Sequence, residues 1–376
     1  MKKKPTLLVI SHTEHFQLED GTIVGWPSTV RELDELIPIF ERIIHVACFY
    51  KGAAPSGMTP YRSSAIKFVR IPPFGGSGIE KFSILLTAPL IVWRVFYWLR
   101  VVTHFQFRAP TSMGVYLLPL LTVFTRKPGW FKYAGNWNQE NPPLSYAWQR
   151  FWLKKIQRRK VTLNGSWYGQ PNHCLSFANP CLSDEDRALG ARTMASKSFY
   201  PPYTLCFIGR IEKAKGVDRI IDSILEKQNQ QNIECIHFIG DSPELEQYVA
   251  KVKDMPCKVH FHGFQNHQFI YEILKGSHFL LLPSDSEGFP KVVAEGANFG
   301  CIPIVSSISS IPFFFSELNA YLWKTDSSFS VLLNRALNDD TDLLKRKANS
   351  AYQVAAQFTF EVYRQQIIKR ILNVVN

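Results

Sequence analysis

Several absences set bounds on what this chain can be. Its seven cysteines form no Cys-x-x-Cys pair and no metal-ligand spacing, so neither a disulfide framework nor a zinc module is expected. The odd, scattered set fits a reducing, cytoplasmic compartment. Long apolar runs are also missing: residues 82–99 come nearest, but Arg94 interrupts them and Arg100 follows, leaving less than the ~20 residues a spanning helix needs. Pro5 to Ile10 is too short for the apolar region of a signal peptide, so export by that route is not expected. There is no low-complexity tract and no short-period repeat. Acids are nearly absent from one stretch: 81–160 hold Glu140 alone against 13 Lys/Arg, while the remainder balances, so the whole net charge of +12 resides there. A field concentrated in this way implies a polyanionic neighbour, either a nucleic acid or an anionic membrane face.

What is present is ample core material. With 46% hydrophobic and 20% charged residues, a chain of 376 residues predicts two domains and excludes disorder. From Tyr203 onward, short runs rich in Ile, Leu and Phe (203–209, 234–240, 258–262, 278–283, 302–306) alternate with amphipathic stretches (216–228, 243–253, 267–275, 290–299). This is the pattern of βα units around a parallel sheet. The first half repeats the scheme, with strands at 6–11, 43–49, 66–71, 102–107, 129–134 and 173–178 and helices at 28–42, 79–99, 112–125 and 144–159. Between the halves, Pro180, the cluster Ser183 to Asp186, Pro201 and Pro202 read as a connector. The fold class expected is α/β: two Rossmann-like, doubly wound domains facing a cleft, residues 1–180 and 203–355, with a linker at 181–202.

Two segments carry chemistry. Gly209-Arg210-Ile211-Glu212-Lys213-Ala214-Lys215-Gly216 stands where a strand ends and a helix begins; helix N–H groups there, with Arg210 and Lys215, suit a diphosphate. The plainer alternative is a basic surface loop. Ser284-Asp285-Ser286-Glu287-Gly288-Phe289-Pro290 through Glu295 follows an apolar strand and opens a second helix, with Pro290 expected at its first position. Glu295 can hold a ribose diol, while Glu287 and the N–H groups of Gly288 and Phe289 meet sugar hydroxyls or phosphate oxygens. Alternatively, Glu287 is a favourable acid near a helix start and Glu295 a solvated one.

In order, and about 70 residues apart, these segments resemble the retaining GT-B glycosyltransferases of the large family 4 (glycosyl transferases group 1). That family places an Arg and a Lys on the donor diphosphate and has a Glu-x7-Glu pair, which by motif implies Arg210, Lys215, Glu287 and Glu295. Gly240-Asp241 and the loop with Gly263 and Phe264 are similar to the family's remaining landmarks, the latter near the nucleotide base. The resemblance implies donor contacts at Gly209, Arg210, Lys215, Gly263, Phe264, Glu287, Gly288, Phe289, Pro290 and Glu295. It also implies a last helix within 356–376 crossing back to the first domain, and closure of two lobes over the donor.

The likeness is strong over 203–310 and looser over 1–180. The glycine pair expected after the first strand is replaced by a longer loop, Ser11 to Pro27, which is expected to overhang the cleft before a helix capped by Ser28. His12, His15 and Gly25 in it are acceptor-side candidates. The family's first-lobe histidine is also missing; Arg108 and Asn136, at the corresponding strand ends, are candidates to replace it, the alternative being that both simply finish strands. His12-Thr13-Glu14-His15 lacks the i, i+4 spacing of helical zinc ligands. No metal is required, because Arg210 and Lys215 supply the phosphate charge. Gly75-Gly76-Ser77-Gly78 reads as a flexible turn.

Within the basic stretch, Trp148, Phe151, Trp152, Lys155, Ile156 and Arg159 share a helical face, the composition of a helix at an anionic bilayer. The alternative packs these aromatics inside the first lobe. With no nucleic-acid motif in sight, the apolar weight of 82–160 favours lipid, and no nucleic-acid partner is expected. The combined expectation is a retaining hexosyltransferase of cell-surface polysaccharide biosynthesis, moving sugar from a nucleoside diphosphate sugar to a glycan or lipid-linked glycan. It would be cytoplasmic and peripheral at the inner membrane face, working by front-face chemistry as the resemblance implies. The alternatives are a non-catalytic nucleotide-sugar-binding subunit and a basic nucleic-acid-binding protein.

Overall fold

The computed structural model describes residues 4–74, 83–226 and 229–373. Its contacts divide the chain into an N-terminal unit, Met1–Ala178 with Tyr363–Asn376, and a C-terminal unit, Asn179–Val362. Both units are parallel-sheet Rossmann-like layers. The turn at Gly75 to Gly78 lies outside the described residues, as does the start expected for the helix at 79–99.

The N-terminal unit runs β1 (Thr6–Gln17), β2 (Ile23–Gly25), α1 (Pro27–Asp34), β3 (Arg42–Phe49), β4 (Thr59–Pro60), β5 (Ile66–Ile71), α2 (Ser83–Leu99), β6 (His104–Ala109), α3 (Gly114–Val123), β7 (Gly129–Tyr133), α4 (Leu144–Phe151), β8 (Val161–Leu163) and β9 (Cys174–Ser176). Its parallel strands stand in the order β5-β3-β1-β6-β7-β8-β9. Alternation along β1 feeds two cores. Leu7 and Val9 pack with Leu33, Phe40, Trp130 and Tyr363, while Leu8 and Ile10 pack with Ile91 and Val95 of α2, Leu117 and Leu121 of α3, and Leu153 just beyond α4.

Four expectations here are corrected. The segment 11–27 is no open loop: β1 continues past an irregularity between Ile10 and Glu14 and pairs antiparallel with β2, which pairs with β4. Trp26, not Ser28, is the N-cap of α1, and Pro27 opens the helix. That helix stops at Asp34 rather than 42, consistent with Pro38, which lacks the N–H to continue it. Finally, α4 gives way at Trp152–Ile156 to a wider, π-type turn instead of running to 159.

The C-terminal unit runs α5 (Asp184–Ser196), β10 (Tyr203–Ile208), α6 (Val217–Leu225), β11 (Ile233–Ile239), α7 (Leu245–Lys251), β12 (Lys258–Phe261), α8 (His267–Gly276), β13 (Phe279–Leu282), α9 (Lys291–Asn298), β14 (Ile302–Ser306), α10 (Ile311–Phe314), β15 (Tyr321–Trp323), α11 (Phe329–Asn338), α12 (Thr341–Ala355) and the first turn of α13 (Phe360–Gln366). All six strands are parallel, in the order β12-β11-β10-β13-β14-β15. The winding direction reverses between β10 and β13, and open α/β sheets bind ligands outside the carboxyl ends of strands at such a reversal.

The residues expected as a connector form α5. Ser183 Oγ accepts the Asp186 N–H at 3.1 Å and the Asp186 carboxylate accepts the Ser183 N–H at 2.8 Å, a complete capping box. The polar cluster that reads as a loop is therefore a helix start, and α5 packs at Gly190 against Asn298 of α9.

Candidate active site

The site is built from the loops after β10 and β13, the two strands flanking the reversal. After β10 the chain makes a single 3-10 turn at Lys213–Lys215 and enters α6 through Gly216. Gly216 has φ +82°, and any side chain there would collide with the Pro283 carbonyl. Only glycine lets this loop lie against the end of β13. The loops are then tied by the Asp285 N–H to the Ala214 carbonyl (2.9 Å) and by Lys215 Nζ to Glu287 Oε1 (2.6 Å), both of these side chains being mostly buried. A charge-assisted bond of this length fixes an ammonium and a carboxylate side by side.

Arg219, one turn on from Lys215, was not singled out in the sequence. It donates to the Pro283 carbonyl (2.9 Å) and to Asp285 Oδ1 (2.5 Å), with its guanidinium over the Trp323 ring. The signal available was its i+4 spacing from Lys215. Ser309 and Ser310 were missed as well; their hydroxyls donate to the Gly288 carbonyl at 2.9 and 2.8 Å, holding the Glu287 loop. Among the described residues the Gly288 and Phe289 N–H groups make no hydrogen bond. The Phe289 ring is buried against Phe358, so only its backbone faces the loop. Pro290 is the N-cap rather than the first residue of α9, and Glu295 falls in the second turn, 3.8 Å from His267 Nε2 at the start of α8.

On the other flank the loops are laced through backbone. The Gly240 N–H reaches the Gly263 carbonyl (2.8 Å), the Ile211 N–H the Asp241 carbonyl (3.0 Å), and Asp241 Oδ1 accepts the Phe264 N–H (2.9 Å). A side chain at Gly240 would strike the Gly209 carbonyl. Arg210 stands on this lattice with its side chain 70% exposed, 3.6 Å from Glu212. Of the four charged candidates, Lys215 and Glu287 are thus directly joined. Arg210 and Glu295 belong to the same edge of the sheet, but each has a partner of its own.

The N-terminal candidates are placed differently. Arg108 is enclosed: it donates to Gln106 Oε1 (3.0 Å) and Glu32 Oε1 (2.9 Å), and Glu32 also takes Lys132 Nζ (2.7 Å) and the Tyr363 hydroxyl (3.1 Å). Its charge is committed to holding α1, β6, β7 and α13 together. Burial first, then Glu32, pushes the Tyr363 hydroxyl well above its ordinary pKa. His15 is buried, with Nδ1 3.0 Å from the Thr13 carbonyl and Nε2 2.7 Å from the Tyr61 hydroxyl, and Tyr61 in turn meets His45. Burial pushes the His15 pKa down to about 4. Gly25 lies directly under that ring, where a Cβ would collide with it. His12 is exposed, and Asn136 Oδ1 accepts the Asn138 N–H at 3.0 Å, within the turn after β7.

Two junctions at the reversal of a doubly wound sheet, one bearing cations and the other carboxylates, frame the candidate site, and the fold is that of solved GT-B glycosyltransferases. Residues 194–354, within the C-terminal unit, match the sequence profile of the glycosyl transferases group 1. HepE from Anabaena, solved in complex with UDP, is 14% identical with a TM-score of 0.69, covering 98% of this chain and 100% of that one. Sucrose-phosphate synthase from Thermosynechococcus elongatus is also 14% identical, with a TM-score of 0.70 over 97% and 98%. The lipopolysaccharide outer core galactosyltransferase WaaB is 16% identical, with a TM-score of 0.66 over 97% and 99%. At such identities these likenesses carry the fold. No curated protein matches the chain in sequence. Among the described residues no helix is long and apolar enough to cross a membrane.

Proposed function

We propose that the chain transfers a hexose from a nucleoside diphosphate sugar to a hydroxyl of a glycan or lipid-linked glycan, with retention at the anomeric carbon. The observation that carries this reading is the Lys215–Glu287 pair at the sheet reversal, with the unbonded N–H groups of Gly288 and Phe289 on the Glu287 loop and exposed Arg210 on the other flank of the same sheet edge. Cleaving the donor's anomeric C–O bond leaves negative charge on the diphosphate. Fixed cations and N–H dipoles stabilise that charge more than they stabilise the ground state. Lys215 and Arg210 take the diphosphate, Glu287 a sugar hydroxyl, and Glu295 the ribose diol, with the Gly263–Phe264 loop beside the base. The departing phosphate oxygen receives the acceptor's proton, so no carboxylate nucleophile of the glycosidase kind is needed. These cations do the work that a divalent metal would otherwise do.

The UDP found with HepE supports a uridine nucleotide as the first donor to try. The acceptor role named for WaaB, with the basic stretch 81–160, supports a cell-surface glycan assembled at the cytoplasmic face of a membrane, with the enzyme peripheral to it. The test is a panel of nucleotide sugars screened by thermal shift, followed by product analysis with extracted lipid acceptor. The reading expects one donor to stabilise the protein, nucleoside diphosphate release that depends on acceptor, and an anomeric coupling in the product equal to that in the donor. Stabilisation without release would make the chain a binding subunit; an inverted product would refute retention.

A further inference from the structure

Among the described residues nothing covers the outer side of the layer formed by α2, α3 and α4. Helices α2 and α3, with Leu153 in the turn after α4, pack on one side of the N-terminal sheet. On α2, Ile91, Val95 and Leu99 face that core, while Leu86, Leu90, Trp93 and Tyr97 repeat at helical spacing on the opposite side, Leu86 86% and Trp93 62% exposed. A helix apolar on both faces needs a partner on each. On α4 and the turn after it, Leu144, Trp148, Phe151 and Ile156 are exposed too. Trp152 is not, donating its Nε1–H to Thr122, and the Arg159 guanidinium turns inward to the carbonyls of Lys127, Leu121 and Thr125. The single face expected at 148–159 is therefore split, and its outward part is continued by α2.

Of the 22 exposed large hydrophobics among the described residues, 12 fall between Leu86 and Ile156, inside the stretch 81–160 that holds the entire net charge. Apolar exposure and positive charge are distinct properties, and their coincidence selects the occupant. A protein partner would cover the apolar surface and a nucleic acid the charge, whereas an anionic bilayer takes both at once.

An open cavity of about 290 Å³ lies at the rim of this patch, lined by Trp137, Asn138, Gln139, Arg150, Phe151 and Lys154. Arg150 holds its wall by donating to the Trp137 (2.7 Å) and Gln139 (3.0 Å) carbonyls. Lys154 is exposed and makes no hydrogen bond or ion pair among the described residues. We propose that the α2–α4 face docks on an anionic phospholipid bilayer, with Trp93, Tyr97, Trp148 and Phe151 entering the headgroup–acyl boundary and the Arg150–Lys154 cavity receiving a lipid phosphate. This rests on the membrane reading above and specifies it; it does not depend on the donor.

The test is co-sedimentation of the full chain with vesicles of phosphatidylcholine alone and of phosphatidylcholine with phosphatidylglycerol. W93S/Y97S, K154E and K154R are compared with the wild type, and donor-induced thermal shift serves as the check on folding. Binding to the anionic vesicles is expected to exceed that to the neutral ones at least tenfold. W93S/Y97S should lower it by tenfold or more and K154E by about fivefold, with K154R near wild type. Quenching of wild-type tryptophan fluorescence by doxyl lipids, reduced in W93F, reports insertion without a disruptive change. Wild type binding no vesicle overturns the membrane reading and this proposal together. Wild-type binding matched by W93S/Y97S and K154E overturns this proposal alone, as does displacement from vesicles by duplex or single-stranded nucleic acid.

Discussion

In the C-terminal unit the charged residues stand at the strand ends, half out of the fold, and lace one loop to the next: Lys215 to Glu287, Arg219 to Asp285. In the N-terminal unit the corresponding strand ends turn their charges inward, where Arg108 and Lys132 share Glu32 beneath α1 and α13. The surfaces are opposed as well, since among the described residues 15 of the 22 exposed large hydrophobics belong to the N-terminal unit. One sheet architecture thus serves two ends. Where ions remain at the strand ends they are available to a substrate; where they are buried they fix the helices, and what is left to meet a partner is the outer helical layer.

This contrast can be broken in four places. The largest effect is expected at the Lys215–Glu287 pair: Lys215→Met and Glu287→Gln should each lower kcat/KM about 10²- to 10³-fold, measured as nucleoside diphosphate release, with the urea midpoint little changed. Glu32→Gln should do the reverse. Leaving two buried cations without their carboxylate costs about 3–5 kcal/mol, seen in urea unfolding, while nucleotide affinity stays the same. If Glu32→Gln abolished nucleotide binding instead, the separation of roles would be wrong.

Acid should act on both units, since burial pushes His237 and His278 of the C-terminal unit down to about 4 as well. The native His15 pKa lies near 4, below its ordinary 6.5, so the unfolded chain binds the extra proton first as pH falls. Stability present above pH 6.5 is lost between there and about pH 4, by up to about 3 kcal/mol for this one buried ring. Burial lowers His45 in the same direction. Urea midpoints at pH 7.5 and 4.5 measure the fall, and His15→Gln should flatten it. The smallest effect is expected from Glu295→Gln, about tenfold in donor KM with kcat retained, since a diol contact made equally in ground and transition states affects binding alone.

The C-terminal unit was largely legible because its strands are short apolar runs, two of which, β10 and β11, end at glycines, and β14 lies where the alternation puts it, at 302–306. Motif order made Lys215 and Glu287 candidates, and the fold joins them in an ion pair that the sequence does not display. Arg219 and the Ser309 and Ser310 braces escaped, being held through backbone carbonyls of a loop that pattern alone does not place. Polar residues misled in both units. Ser183 to Asp186 looked like a linker and is a helix cap, and the histidines of 12–15 suggested a loop where β1 continues. Arg108 is a strand-end arginine in sequence, and only the fold reveals that Glu32, 76 residues away, neutralises it.

The most direct test is calorimetric titration of UDP, GDP and ADP into the wild type and into Arg210→Ala/Lys215→Met. If the strand-end cations hold the donor's diphosphate, one nucleotide binds the wild type with one-to-one stoichiometry, and the double variant binds it at least a hundredfold more weakly. Equal affinity in the two proteins, or no binding of any nucleotide to the wild type, would contradict that placement.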